Sequence, residues 1–190
     1  MANADPRVAL YNVPHEQGGK GKSRALNLGI RQVDSEIVAV YDADNTPDPQ
    51  ALRYLAAQLV LHPELGAVLG KFRTVNKNAT LLTRFINIET LTFQSMLQAG
   101  RWQLHHIATL PGTNFVMRTA LIRQLHGWDE DALAEDSELS IRIYEEGYIT
   151  YMRTDSTTLS ETAITAARQV IERQFGREDL TDAPRVYAKK

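Results

Sequence analysis

The residues that point most directly at chemistry are Asp42 and Asp44, set two apart in Tyr41-Asp42-Ala43-Asp44-Asn45. Residues two apart on an extended backbone face the same way, so both carboxylates address one point. Two hard oxygen donors suit Mg²⁺ or Mn²⁺, which keeps its other positions for water and substrate phosphates. The same stretch is also ordinary turn chemistry, rich in Asp, Asn and Pro. A second acidic pair, Glu135-Asp136, opens a helical pattern. Carboxylates there complement the free N–H groups and dipole of a helix start. The alternative is a general base that takes a proton from an attacking hydroxyl.

Other candidates are weaker. Gly18-Gly19-Lys20-Gly21-Lys22-Ser23 is basic and glycine-rich, but Glu16 stands where a triphosphate-binding loop needs its first glycine. Lys22 can still serve as a point charge beside a diphosphate. His105 and His106 are adjacent, so their side chains diverge, and no histidine lies at a partner spacing. Trp102 and Trp128 either stack on sugar rings or fill core and rim positions.

These residues need elements to position them. Val8–Val13 has strand character, and Ser23 can cap a helix over Arg24–Arg31. Ile37–Tyr41 is an apolar run of strand length, as for a strand buried on both faces. Asp48-Pro49 starts a helix carrying Leu52, Leu55, Ala56, Leu59 and Val60, which Pro63 ends. Ala67–Leu69 is strand-like. A long helical pattern from Ala79 to Ala99 turns Leu82, Phe85, Ile86, Ile88, Leu91 and Met96 toward a core. Then come a strand at Asn114–Met117, a short helix capped by Thr119, a helix over Ala134–Glu146 stopped by Gly147, a strand at Tyr148–Met152 and a helix at Thr162–Phe175. Strands alternating with helices imply an α/β domain with a mainly parallel, Rossmann-like sheet flanked by helices.

Composition narrows the function classes. The 190 residues are 43% hydrophobic, which suits one globular domain, and a net charge of −2 gives no electrostatic case for nucleic acid. Without cysteine there is no disulfide, thiol nucleophile or Cys-based zinc site. No apolar run reaches the ~20 residues of a membrane span, and the start has no signal-peptide character. A cytoplasmic setting is the expectation.

In order along the chain, several pieces together resemble a family 2 glycosyltransferase of the cellulose, hyaluronan and poly-N-acetylglucosamine synthase type. They are Gly21–Gly29, Tyr41–Asp44, Pro111–Phe115, Gly127–Glu130, Ala134–Arg142 and Glu146–Tyr148. The resemblance implies a GT-A-type fold and inverting transfer from a nucleotide sugar, usually a UDP-sugar, to a saccharide acceptor. It places Lys22 by the donor, and Asp42 and Asp44 on the diphosphate through Mg²⁺ or Mn²⁺. Asp136 becomes the catalytic base with Glu135 beside it, while Pro111, Gly112, Thr113, Asn114 and Trp128 border the acceptor. The departures are the first nucleotide-binding strands, the membrane helices of the parent enzymes, and a Gln-Arg-x-Arg-Trp motif, where this chain has Gln169 and Arg173-Gln174-Phe175. The expected organisation is a partial catalytic domain over 1–176 and a polar tail over 177–190, from a parent at the cytoplasmic membrane face. A homo-oligomer through an exposed sheet edge is expected. The rival reading is a non-catalytic fragment acting as a binding module.

Overall fold

The protein was analysed as a computed structural model, which describes residues 7–11, 13 and 21–152, and the backbone of 185–188. The helix expected at Thr162–Phe175, and the Gln169 to Phe175 stretch with it, lies outside the described residues.

Strand β1 (Val8–Tyr11) pairs in parallel with β6 (Arg185–Ala188), which falls within the stretch expected as tail. Helix α1 (Lys22–Ile30) starts after Gly21, whose φ of 113° only glycine adopts readily. Ser23 therefore sits inside the helix and buried, instead of capping it. Strand β2 (Ile37–Val40) leads through the Asp42 turn to α2 (Ala51–Leu61). Asp48 organises that entry: its Oδ1 accepts from Gln50 N at 2.9 Å and its carbonyl from Ala51 N at 2.9 Å. Strand β3 (Leu65–Leu69) follows Pro63 and is buried throughout.

Next comes a continuous helical run: α3 (Leu81–Thr92), a π-helical segment (Phe93–Gln98) and α4 (Ala99–His105). Thr80 and Thr83 close a capping box at its start. Strand β4 (Phe115–Arg118), α5 (Thr119–Gln124), α6 (Glu135–Glu145) and β5 (Ile149–Met152) complete the order. Gly147, with φ 80°, turns the chain out of α6 as expected.

The main sheet has the order β2-β4-β3-β5, and it corrects the expectation of a mainly parallel sheet. The ladders β2/β4 and β3/β4 are antiparallel, and only β3/β5 is parallel. Three strands in fact run the same way. Strand β4 alone is reversed, and its central place turns two of the three ladders antiparallel. Counting alternating strands and helices could not reveal this, because the link from β3 to β4 is not a simple crossover helix.

Alternation along the strands divides the core. Phe115 and Met117 of β4, with Ala67 and Leu69 of β3, face Leu121, Ile122, Leu139 and Ile143. Val116, Val68 and Leu65 point the other way, onto Leu55 and Leu59 of α2.

The helical run at 81–105 overturns a second expectation. None of the residues of α3 is buried, and Leu82, Phe85, Ile86, Ile88, Leu91 and Met96 are exposed. The less exposed positions are Thr83, Asn87, Thr90, Phe93, Gln94, Gln98, Ala99, Gly100 and Trp102, with both glutamines buried and Trp102 edge-on to Tyr151. Gln94 donates to Phe72 O and accepts from Phe72 N, both at 2.9 Å. Gln98 does the same for Thr109, at 2.6 and 3.1 Å. A buried backbone group without a partner costs about 1–3 kcal/mol, so the run docks by its polar side.

Candidate functional site

The reversed strand has a direct consequence for the site. It brings the loop before β4 to the same end of the sheet as the carboxyl ends of β2 and β3: Val40 and Leu69 both pair with Phe115. Three loops therefore meet there, at the end where open α/β sheets bind ligands.

Thr113 joins the first two. Its hydroxyl accepts from Asp42 N at 2.9 Å and from Asn45 Nδ2 at 2.5 Å. Asn114 joins the third: its carbonyl accepts from Gly70 N at 2.8 Å, and its Nδ2 donates to Lys71 O at 3.1 Å. Asn114 is buried at φ 54°, so it precedes β4 instead of starting it. Asn tolerates this left-handed backbone better than most residues. A Cβ on Gly70 would stand 2.6 Å from Asn114 Nδ2, so glycine is needed for this approach.

Lys22, at the start of α1, is the link between the acidic loop and the loop before β4. Its Nζ lies 2.7 Å from Asp42 Oδ1 and also donates to Gly112 O. Both side chains stay partly open to solvent, at 21% and 38% exposure. Gly112, with φ 73°, faces the start of α6: a Cβ there would stand 3.1 Å from Asp136 Oδ2 and 3.6 Å from Lys22 Nζ. The other oxygen of Asp136, Oδ1, accepts from Ser137 N at 2.7 Å. Ser140 fixes the distance between loop and helix, because its Oγ donates to Asp136 O at 2.7 Å and accepts from Leu110 N at 2.8 Å.

Lys22, Asp42, Gly112, Thr113 and Asp136 thus gather around one point, as the sequence proposes. Glu135 is half-buried at the first position of α6, beside Asp136. Asp44 is exposed in the turn after β2. Trp128 is placed differently from a cleft-lining residue. Its indole is 4% exposed and packs in the core, while its backbone is held by Asn27, Oδ1 accepting from N and Nδ2 donating to O, each at 2.8 Å. Gly127, φ 81°, lets the chain pass so close that a Cβ there would collide with Asn27 Oδ1.

The sequence analysis assigned no role to Asn27, Asn45, Gln94, Gln98 or Ser140. Asn27 had a visible signal, a poor helix former between Leu26 and Leu28. Gln94 and Gln98 had another, a polar pair four apart that continues the polar positions Asn87 and Thr90.

Among the described residues, no group of three or more His, Cys, Asp or Glu could hold a metal ion by itself. The carboxylates at this sheet end are Asp42, paired with Lys22, and the exposed Asp44. Mg²⁺ and Mn²⁺ commonly take one or two carboxylates and complete their shell with water and substrate phosphate oxygens. A cation shared with a diphosphate needs no protein cage.

An acidic turn after a strand, a lysine bridging it to a glycine loop, and a helix-opening carboxylate thus lie together at one end of an α/β sheet. The chain belongs to glycosyl transferase family group 2, whose match spans residues 37–173. It is 56% identical over 130 residues to a probable glycosyltransferase, YdaM, of Bacillus subtilis (strain 168), covering 68% of this chain and 31% of that protein. It is 29% identical over 132 residues to the poly-beta-1,6-N-acetyl-D-glucosamine synthase of Staphylococcus aureus (strain COL), covering 70% and 32% respectively. The chain therefore spans about a third of these curated relatives. Its fold resembles the mannosyltransferase PcManGT from Pyrobaculum calidifontis, solved in complex with GDP-Man and Mn2+, with TM-score 0.51 and 23% identity over 80% of this chain and 40% of that one. No helix among the described residues is long and apolar enough to cross a membrane.

Proposed function

We propose that this chain carries the sugar-transfer centre of an inverting glycosyltransferase that builds a polysaccharide from a nucleotide sugar, a UDP-sugar in particular. The observation that carries the reading is the convergence on Gly112: Lys22 bonds its carbonyl, and Asp136 Oδ2 lies against its α-carbon. A basic group for a leaving diphosphate and a carboxylate for an incoming hydroxyl thus stand on either side of one backbone residue.

The acceptor hydroxyl gives its proton to Asp136 Oδ2 as its oxygen attacks the anomeric carbon. The bond from that carbon to the diphosphate oxygen breaks on the opposite side, so configuration inverts. Lys22 offers its charge to the departing diphosphate, and the Ser137 N–H holds Asp136 in place through Oδ1. Asp42 and Asp44 would hold Mg²⁺ or Mn²⁺, which when bound neutralises diphosphate charge. The mannosyltransferase of similar fold was solved with a nucleotide sugar and Mn2+, which supports this choice. Gly112, Thr113 and Asn114 border the acceptor side, with Trp128 behind them and Glu135 beside the base. Residues 1–176 then form part of a catalytic domain in a parent at the cytoplasmic face of the membrane, and the stretch from 177 contributes β6 rather than a tail alone.

The test is Asp136→Asn in a chain extended to the length of the relatives. Asp136 lies in the first turn of α6 and does not cap it, so the substitution should cost only the charge–dipole contribution, about 0.3–1 kcal/mol. Sugar transfer should fall ~10²–10⁴-fold, the usual cost of losing a general base. Transfer within a few-fold of the parent, with donor binding intact, would sink the assignment. Asp44→Ala should abolish the dependence of UDP binding on divalent metal, read by calorimetric titration.

A further inference from the structure

We propose that Ser140 and Tyr144 are positioning residues for sugar transfer, holding the stretch at 108–112 in register with α6 so that Asp136 stands against Gly112. The inference rests on the reading of Asp136 as the base. Asp136, Ser140 and Tyr144 are four residues apart and so line one face of α6. Ala108, Leu110 and Gly112 are two apart in the stretch that leads to β4. The two series meet in antiparallel order. Tyr144 Oη accepts from Ala108 N at 2.7 Å and donates to Ala108 O at 2.6 Å. Ser140 Oγ accepts from Leu110 N at 2.8 Å and donates to Asp136 O at 2.7 Å. Asp136 Oδ2 then lies against the α-carbon of Gly112. Thr109, between them, turns the other way, to Gln98.

Four helical residues advance about 6 Å and two extended residues about 6.6 Å, so the steps match over this length. A slip by one residue would present Thr109 to the helix and turn Ala108 and Leu110 away. Ala108, Leu110 and Ser140 are buried, and a buried N–H that loses its acceptor is costly, which opposes such a slip. Thr150 of β5 also donates to Ala108 O, so the far end of the series is tied to the sheet. The near end is Gly112, where any error in register becomes an error in the place of Asp136. Reacting groups misplaced by about 1 Å lose on the order of 10²-fold in rate. Lys22 keeps its own anchor at Asp42, so the donor side does not depend on this register.

The experiment measures kcat and donor KM in the chain extended to the length of the relatives. Ser140→Ala and Tyr144→Phe are made singly and each together with Asp136→Asn. Ser140→Ala should lower kcat about tenfold or more and leave donor KM within about twofold. Tyr144→Phe, one step farther from Asp136, should lower kcat about three- to fivefold. With Asp136→Asn present, both should change the residual rate by less than about twofold, because a residue that acts through Asp136 has nothing left to position. Equal losses in both backgrounds would overturn the proposal and make the pair merely structural. A loss with Asp136→Asn but none with Ser140→Ala or Tyr144→Phe would overturn the proposal and leave the base reading standing. Transfer that survives Asp136→Asn would overturn the base reading, and the proposal with it. Amide hydrogen exchange gives a readout apart from activity. Ser140→Ala should speed exchange at 108–112 about tenfold and leave β4 at 115–118 unchanged. Unchanged protection at 108–112, or equal acceleration in β4, would also overturn the proposal.

Discussion

Helix α2 and the helical run at 81–105 are both rich in leucine and use it in opposite ways. Helix α2 lays Leu55 and Leu59 on Val68 and Val116 of the sheet and also buries Ala56 and Ala57, while Leu52 and Arg53 meet solvent. The 81–105 run lays Thr83, Asn87, Thr90 and two glutamines on the protein and leaves Leu81, Phe85 and Ile88 outside. Periodicity in a sequence says which residues share a face of a helix. It does not say which face meets the protein. For α2 the sheet offers apolar side chains, so apolar burial decides. Along 81–105 the neighbouring segments offer backbone groups at Phe72 and Thr109, so hydrogen bonding decides.

The comparison can be broken most directly by paired substitutions. Leu59→Ala should cost about 2–5 kcal/mol of stability, because Leu59 is completely buried. Phe85→Ala removes a larger side chain, yet should stay within about 0.5 kcal/mol, as exposed sites do. Urea denaturation of both variants is the measurement, and similar losses would end the distinction drawn here. Gln98→Ala should cost about 1–3 kcal/mol, since it strips partners from the backbone N–H and C=O of Thr109. Glycines sharpen the contrast at smaller scale. A Cβ on Gly66 would stand within 2.9 Å of Leu121, Ile143 and Tyr148, whereas one on Gly100 would meet nothing within 4 Å. Gly100→Ala should therefore stabilise by about 0.5–1 kcal/mol through helix propensity, read as a higher midpoint.

The smallest effect concerns pH. Burial raises the phenol of Tyr41 above its ordinary value, and it does the same at Tyr144 despite bonds to Thr150 and Ala108 that act the other way. The folded state keeps both phenols protonated where the unfolded chain ionises. Their contribution is therefore complete below about pH 10 and is lost as pH rises through the raised folded values. Midpoints measured from pH 8 to 11 should fall only at the top of the range, and less steeply in Tyr144→Phe.

Much of the site was legible because its signals are local. The two-apart carboxylates, Lys22 after Gly21, and the carboxylates opening α6 each read within a few residues, and the structure gathers Lys22, Asp42 and Asp136. The ends of most elements were legible for the same reason, since Pro63 and Gly147 act on their immediate neighbours. What could not be read depends on long-range pairing. The reversal of β4 is set by partners 46 or more residues away in sequence, at Leu69–Ala67 on one side and Val40–Ile37 on the other. Asn27 shows the same limit. Its amide spans 101 residues to reach Trp128, and nothing within its own helix announces the partner. The left-handed backbone of Asn114 likewise follows from the close passage of Gly70, not from its own neighbours.

The two glutamines have one further consequence, for motion. Gln94 and Gln98 lie four residues apart on the π-helical segment, and each grips a different segment by both its donor and its acceptor. A slide of the rod by even one residue, about 1.5 Å, exceeds what a hydrogen bond tolerates in length. Phe72 and Thr109 must then travel with it, and Thr109 stands two residues before Pro111, at the head of the loop that carries Gly112 and Thr113. The helical run is thus a push-rod geared to the loop that Lys22 and Asp136 share.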